Sequence, residues 1–425
     1  MSSPKSDPRR GWSSEDAERH LLSRERFGMR FGLDRMRRLL NVLGLPTPSF
    51  ATVHVVGTNG KSSTTRMIAA LLAREGLRTA CFTSPHLLSY RERIQIGERD
   101  IEPERFAAAI ATVVHAGDMV DRSAAPASDI VTQFELLTAA ALCEFEAAGV
   151  EVAVLEAGLG GRYDATNVVD SRVAVLTNVG LEHTRYLGPT VVDIAREKLD
   201  VVRPGATLVV GGDLDPAALA LARETVAARG ARLVEAAGAV DIELRAGGGY
   251  QRRNFAAAQT AAAAFLGREP SREHVVAVGA ELVVRGRFEV LEGRPVTLLD
   301  GAHNDGGIEA LAQSLPAFVA GRRLVAVVSI LDDKDAAGML SRLLLHCDAV
   351  VCTACSSPRA LPPATLASLA GQIGGAAASV VIGPHRALAR ARELAGEDGV
   401  VLATGSIFLI GDLMRPEGAA GGSAL

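Results

Sequence analysis

The 425-residue chain contains no uninterrupted run of 18 apolar residues, so nothing in it reads as a helix that spans a bilayer. It has only five cysteines, at 81, 143, 347, 352 and 355, set mostly within apolar strand or helix patterns. An odd set of this kind fits no disulfide framework and points to a reducing, cytoplasmic compartment. Cys352-Thr353-Ala354-Cys355 has metal-ligand spacing but no second Cys or His pair, which favours core packing over zinc. Excess positive charge is also missing. The 45 Lys and Arg against 49 Asp and Glu leave a net charge of -4, which supplies no basic field for nucleic acid or an anionic membrane. The first 13 residues are polar with no apolar h-region, so residues 1–14 read as a disordered tail rather than a secretory signal. A Gly/Ala tail covers 414–425, and no short-period repeat occurs. What remains is a globular balance, 48% hydrophobic and 22% charged, with length for two or three domains and small molecules as the expected partners.

The most informative stretch is Val53-His54-Val55-Val56-Gly57-Thr58-Asn59-Gly60-Lys61-Ser62-Ser63, which reads as a buried strand, a glycine turn and a helix start. Its glycines let backbone N–H groups converge, Lys61 supplies a cation, and the helix N-terminus adds positive potential, a combination suited to phosphate. Only Thr58 and Asn59 separate the glycines, so the loop is shorter than the common phosphate loop. Either Ser62 or Ser63 could reach a magnesium ion. Four apolar strands in turn end on polar residues, at Gly57, Ser84, Glu156 and His183, as expected of ligand-binding strand ends in an open α/β sheet.

Around these, helical spacing predicts an opening pair over 15–43 interrupted at Gly32-Leu33-Asp34, with Arg35, Arg37 and Arg38 on a solvated face. A helix from Pro103 to about Ala116, a polar loop at 118–129, a helix over 133–148 and strands over 234–245 follow. An alanine-rich helix over 251–266 carries Asn254, and residues 283–294 read as a domain boundary. Beyond it a second α/β alternation begins, bearing Asp300-Gly301-Ala302-His303-Asn304 and Thr404-Gly405-Ser406.

Taken together and in order, Gly57-Thr58-Asn59-Gly60-Lys61, Thr83-Ser84-Pro85-His86, Glu156 with Gly158-Leu159-Gly160-Gly161-Arg162, Asp164-Ala165-Thr166-Asn167, His183-Thr184, Glu197-Lys198, Gly286-Arg287 and Asp300 to Asn304 resemble the folylpolyglutamate synthase and dihydrofolate synthase branch of the Mur ligase family, over residues 28–412. The resemblance implies a Mur-ligase-like α/β fold. A P-loop ATP-binding domain with a mostly parallel sheet is expected over 15–286, and a smaller Rossmann-like glutamate ligase domain over 287–413. It implies an ATP- and Mg2+-dependent ligase, expected to be a monomer, in which a carboxylate becomes an acyl phosphate that an amino group then displaces.

Implied roles fall on particular residues. The loop Gly57 to Ser63, with Asn254, Arg287, Asp300 and His303, would hold the nucleotide. Ser84, Glu156 and His183, with Ser63 or Ser62, would hold magnesium. Lys61, Glu156, His183 and Lys198 would serve the chemistry, Lys198 as a carbamate. Phe31, Gly32, Leu33, Thr132, Gln133, Phe134, Glu135, Tyr163, Asp164 and Ala165 would meet the pterin, with Phe134 and Tyr163 stacking on its ring. Without the resemblance, a helix cap for Ser84 and a core histidine for His183 stay open as alternatives, and Lys198 reads as a surface helix lysine. Three positions depart from the family pattern: Ser62 stands where glycine is usual, Asp200 likewise, and Asp305 replaces a proline, adding a negative charge near the nucleotide or substrate carboxylate. A Mur-type ligase acting on another carboxylate, or a nucleotide-binding module without amide synthesis, remains an alternative.

Overall fold

The computed structural model describes residues 11–25, 31–123 and 129–418, so most of both expected tails lies outside the described residues. These residues fall into two compact units. The first comprises the chain to His86, 90–238 and 256–278; the second comprises 87–89, 239–255 and 279 onward. No helix among the described residues is long and apolar enough to cross a membrane.

The first unit is an eight-stranded sheet made of β1 (Ala51–Val56), β2 (Thr79–Phe82), β3 (Ile94–Ile96), β4 (Arg99–Asp100), β5 (Val152–Glu156), β6 (Val173–Leu176), β7 (Thr207–Val210) and β8 (Arg232–Glu235). Their spatial order is β4-β3-β2-β5-β1-β6-β7-β8. All pairings are parallel except those of β3 with β2 and with β4. Parallel strands covered on both faces need continuous apolar runs, and β5 and β6 are buried at every position. Glu156 is the exception in β5, a carboxylate set opposite Val55 of the neighbouring strand. Because β1 lies between β5 and β6, the segments after all three strands emerge at one edge, where the strand order switches direction.

One core of this unit packs the helices Ser14–Glu25, Asp34–Val42, Pro103–Arg122 and Gln133–Ala147 on the sheet through residues such as Leu39, Phe106, Ile110, Leu136 and Phe145. Each such burial contributes about 1.5–3 kcal/mol. The second unit has a six-stranded sheet of β9 (Glu289–Leu291), β10 (Val296–Leu299), β11 (Leu324–Val328), β12 (Ala349–Cys352), β13 (Ala377–Val380) and β14 (Val400–Thr404). Its order is β13-β12-β11-β14-β10-β9, with only β9 antiparallel.

Several local expectations are corrected. The helix beginning at Pro103 continues to Arg122 rather than ending near Ala116. Asp118 and Asp121, read as loop, lie on it and pair with Arg24 at 3.0 and 2.8 Å. Arg35 is buried rather than solvated, held by Glu135 at 3.2 Å and Asp129 at 2.6 Å. The strands expected over 234–245 stop at Glu235. Beyond it the backbone bonds elsewhere: Arg245 N–H donates to Gly279 O at 2.8 Å and Ile242 O accepts from Arg252 at 2.6 Å. The helix Arg272–Glu281 had no counterpart in the sequence reading. All five cysteines are free thiols; burial drives Cys81 and Cys347 up to about 12, and Cys352 to about 11.

Candidate functional site

The turn after β1 depends on its two glycines for different reasons. At Gly57 a Cβ would stand 1.9 Å from Thr177 Oγ1, so the loop lies against the end of β6 only because no side chain intervenes. Gly60 has φ 81° immediately before the helix Lys61–Arg74, a left-handed conformation that favours glycine. The segment after β6 then braces the loop. Thr58 N–H donates to Asn178 O at 3.1 Å, Asn59 N–H to Asn178 Oδ1 at 2.9 Å, and Thr177 Oγ1 to Asn59 O at 2.6 Å. Thr58 Oγ1 and Gly180 exchange two further bonds, at 3.0 and 3.2 Å. Lys61 Nζ donates to the carbonyls of Gly57 and Thr58, both at 3.1 Å.

Lys198 reaches the same place from another element. It lies in the helix Val191–Leu199 with 4% exposure, and its Nζ donates to Gly57 O at 2.8 Å, so it is no surface lysine. Burial, with the Lys61 cation second, lowers its pKa to about 7 against the pull of Glu182 and Asp164. The helix can lie this close because Gly161 has no side chain: a Cβ there would meet the carbonyls of Glu197 and Lys198, each at 2.8 Å. Asp200, the altered corner, holds Arg229 at 2.7 Å.

Glu156 is 1% exposed and is gripped by both oxygens. Ser62 Oγ donates to Oε1 at 2.9 Å and Ser84 N–H donates to Oε2 at 3.0 Å. Ser63 is 2% exposed, whereas Ser62 is half-buried. His183 is exposed, at φ 51° before the short helix Thr184–Leu187. Among the described residues no group of three or more His, Cys, Asp or Glu is set to hold a metal. The oxygen donors brought together are the Ser62 hydroxyl and the Glu156 carboxylate, which suit a hard cation.

Three bonds brace the glycine-dense loop from within. Asp164 accepts from Thr166 N–H at 3.0 Å, Thr166 Oγ1 at 2.5 Å and Leu159 N–H at 2.9 Å. Burial raises its pKa while these bonds oppose the rise. Thr166 also meets His54 Nε2 at 2.7 Å. Since the Thr166 proton is committed to Asp164, the imidazole donates and its Nδ1 is the acceptor nitrogen, which is buried without a hydrogen-bond partner. Sequence reasoning passed over His54, although a lone histidine in an apolar strand was its signal.

Among the expected pterin residues, Phe31, Gly32 and Tyr163 line one open cleft of about 420 Å³ together with Tyr186 and Glu197. The Phe31 ring lies 5.9 Å from Tyr163 and 6.1 Å from Tyr186, centroid to centroid. All three rings are substantially exposed. Arg162 bridges to Glu197 at 3.4 Å and lies over Tyr163. Tyr186 was not anticipated, because an aromatic residue on a short helical segment carries no motif; Glu197, read within the Glu197-Lys198 motif, was not assigned to this cleft. The other expected contacts have local roles here. Leu33 precedes the helix Asp34–Val42; Thr132 and Glu135 form the capping box of the helix Gln133–Ala147; Gln133 bonds Leu21 O and Tyr90 OH. Phe134 packs against Phe82 and over Gly158 and is not among the cleft-lining residues, while Ala165 is buried.

The second unit gathers its own set. Asp300, after β10, is 2% exposed and accepts from Tyr250 OH, Phe288 N–H at 2.8 Å and Ala302 N–H at 2.8 Å. Burial raises its pKa, and burial together with Asp300 raises that of Tyr250. Arg287 stands beside Gly301, where a Cβ would lie 2.2 Å from its Nη1. Asn254 Nδ2 donates to Gln251 Oε1 at 2.8 Å, and Gln251 in turn reaches Arg287 O at 3.5 Å. His303 Nδ1 lies 2.8 Å from Gly301 O. Asp305 is paired with Arg342 through two contacts at 2.6 and 2.9 Å.

Residues 55–234 match the Mur ligase middle domain, and residues 286–407 match the Mur ligase glutamate ligase domain. The chain is 35% identical over 377 residues to the dihydrofolate synthase/folylpolyglutamate synthase of Mycobacterium tuberculosis, covering 80% of this chain and 77% of that protein. It is 30% identical to the protein of the same description from Bacillus subtilis, covering 94% and 98%. Solved structures agree. Mycobacterium tuberculosis folylpolyglutamate synthase complexed with ADP and AMPPCP superposes with a TM-score of 0.87 at 31% identity, covering 96% of this chain and 100% of that one. E. coli FolC in complex with DHPP and ADP gives 0.83 at 27%, covering 97% and 98%. The Yersinia pestis bifunctional folylpolyglutamate synthase/dihydrofolate synthase complexed with AMPPNP and Mn ion gives 0.82 at 28%, covering 96% and 99%.

Proposed function

The chain belongs to the dihydrofolate synthase/folylpolyglutamate synthase family, whose members are ATP-dependent glutamate ligases built on Mur ligase domains, and from that premise we propose how its own residues perform the reaction. The substrates are ATP, L-glutamate and a pterin-bearing acid, either dihydropteroate or a tetrahydrofolate with its glutamate tail. A carboxylate oxygen of the acid attacks the γ-phosphorus, ADP leaves, and an acyl phosphate forms. The glutamate nitrogen then attacks the acyl carbon, phosphate departs with the bonding pair, and the nitrogen loses its proton to give the amide.

The observation that carries this reading is the meeting of the Lys61 and Lys198 amines on the Gly57 carbonyl, at the start of a helix and beside the clamped Glu156. Lys61 turns from its loop carbonyls to the γ-phosphate and stabilises the charge that moves there. Ser62, Ser84, Glu156 and His183 are the residues that would hold Mg2+, which when bound neutralises phosphate charge; the relative from Yersinia pestis was solved with Mn and AMPPNP. Lys198, driven toward the neutral amine, adds to CO2 as a carbamate with loss of one proton. Asn254, Arg287, Asp300 and His303 meet the nucleotide, and the Phe31–Tyr163–Tyr186 cleft takes the flat ring of the acid, as aromatic walls do. A cytoplasmic location is part of this reading, and the five free thiols and the use of ATP support it.

The test is glutamate-dependent phosphate release from ATP with dihydropteroate and, separately, with tetrahydrofolate, followed by product mass. One glutamate added to either acid is the expected result. ATP binding without turnover of either acid would overturn the reading.

A further inference from the structure

Glu156 raises a question that its burial makes acute. A carboxylate at the end of a side chain rotates broadly about its last torsion, yet this one must present a defined edge to a cation. The structure shows two donors, one on each oxygen and from different elements: Ser62 Oγ at 2.9 Å from the first turn of the helix Lys61–Arg74, and Ser84 N–H at 3.0 Å from the segment after β2. We infer that Ser62 is a positioning residue for Glu156, fixing with the Ser84 amide the plane in which that carboxylate meets the divalent cation. The inference rests on the ligase reading above and adds a role for a hydroxyl that the reading needs only as one of several oxygens.

The hydrogen-bond accounting supports it. A serine hydroxyl has one proton and two lone pairs. Ser62 lies 2.9 Å from Glu156 Oε1 but 3.5 Å from Ser84 O, at the outer limit of a bond, so its proton goes to the carboxylate. Both lone pairs then remain for a cation or its water. The clamp also links the phosphate loop to β5: Ser62 follows Lys61 directly, so the bond that orients Glu156 ties it to the residue beside the phosphate-binding cation. A merely structural tie would do the same for stability but would leave cation affinity alone.

The full-length chain, as wild type, Ser62→Ala, Ser62→Gly and Ser62→Thr, would be titrated with Mn2+ in the presence of AMPPCP and read by electron paramagnetic resonance. The Mg2+ concentration for half-maximal turnover and the Tm would be measured in parallel. Losing an orienting partner of a metal-binding side chain typically weakens the metal 10- to 100-fold. We expect about tenfold weaker Mn2+ binding in Ser62→Ala and Ser62→Gly, with a matching rise in half-saturating Mg2+ and with Ser62→Thr within about threefold of wild type. Unchanged Mn2+ affinity in the folded Ala or Gly variant would overturn the inference, whatever happens to Tm, and so would a Thr variant as weak as Ala. Because Mn2+ binding is read without turnover, a wild type that binds Mn2+ and AMPPCP yet makes no amide would refute the ligase reading while leaving this result legible.

Discussion

The buried imidazole of His54 gives the sharpest quantitative test of the first unit's interior. Its ring is fully buried in β1, and burial, with the Arg203 cation second, lowers its pKa from 6.5 to about 3. The sign follows from proton counting. Below pH 6.5 the unfolded chain takes up a proton that the native ring refuses, so stability falls as pH falls, and the loss continues down to the folded pKa. Each pH unit costs about 1.4 kcal/mol, so acidifying from neutrality to about pH 4.5 removes roughly 2.7 kcal/mol through this one group. His54→Leu abolishes that proton uptake. At neutral pH the same substitution loses the bond to Thr166, worth about 1 kcal/mol, but also removes the buried, partnerless Nδ1, whose desolvation costs about 1–3 kcal/mol. The variant should therefore be close to wild type at pH 7 and more stable by about 2–3 kcal/mol at pH 4.5. Urea denaturation at half-unit pH steps measures this directly. Parallel stability curves for the two proteins over that range would show that the native ring is protonated, and the argument would fail.

Two further expectations concern activity. Lys61→Ala should lower turnover by about a hundredfold or more, because one preorganised charge at the transferring phosphoryl group is worth that much, while Tm moves little, since the lysine's bonds are to its own loop carbonyls; near-normal turnover would place the nucleotide elsewhere. Tyr186→Ala should raise KM for the pterin acid about three- to tenfold and leave KM for ATP unchanged, the usual worth of one aromatic contact; an unchanged pterin KM would remove the cleft from substrate binding.

What could be read from the sequence was what covalent neighbours determine. The order of strands and polar strand ends follows from apolar runs and the residues that close them, so Gly57, Ser84 and Glu156 were visible in advance, whereas His183, read as the fourth strand end, lies past β6 at the start of the short helix Thr184–Leu187. The sequence could not show which long-range partner a polar residue finds. Arg35 looked solvated beside Arg37 and Arg38, but Glu135, a hundred residues away, claims it. Asp305 looked like a stray charge until Arg342 supplied its counter-ion. The same limit hid the engaged states of Thr132, Gln133 and Glu135, whose side chains cap and brace a helix. It also hid Tyr250, whose hydroxyl meets Asp300. The antiparallel edge at β3 and β4 was missed because two- and three-residue strands leave no periodicity to detect.

One compositional signal was available and went unused: the chain holds only four lysines, Lys5, Lys61, Lys198 and Lys334, and meets nearly all of its cationic needs with arginine. Two of those four amines converge on one carbonyl. The choice has a physical reason at Lys198. A guanidinium stays protonated at any ordinary pH, so arginine there would be a permanent buried charge next to Lys61. An ammonium can instead release its proton, and burial plus the Lys61 cation bring that release to about pH 7. The neutral amine still donates to Gly57 O, keeping the helix Val191–Leu199 attached to the loop without a second buried cation. Lysine at this position thus satisfies packing and electrostatics together, and the proton it can lose is the one that the proposed carbamate requires.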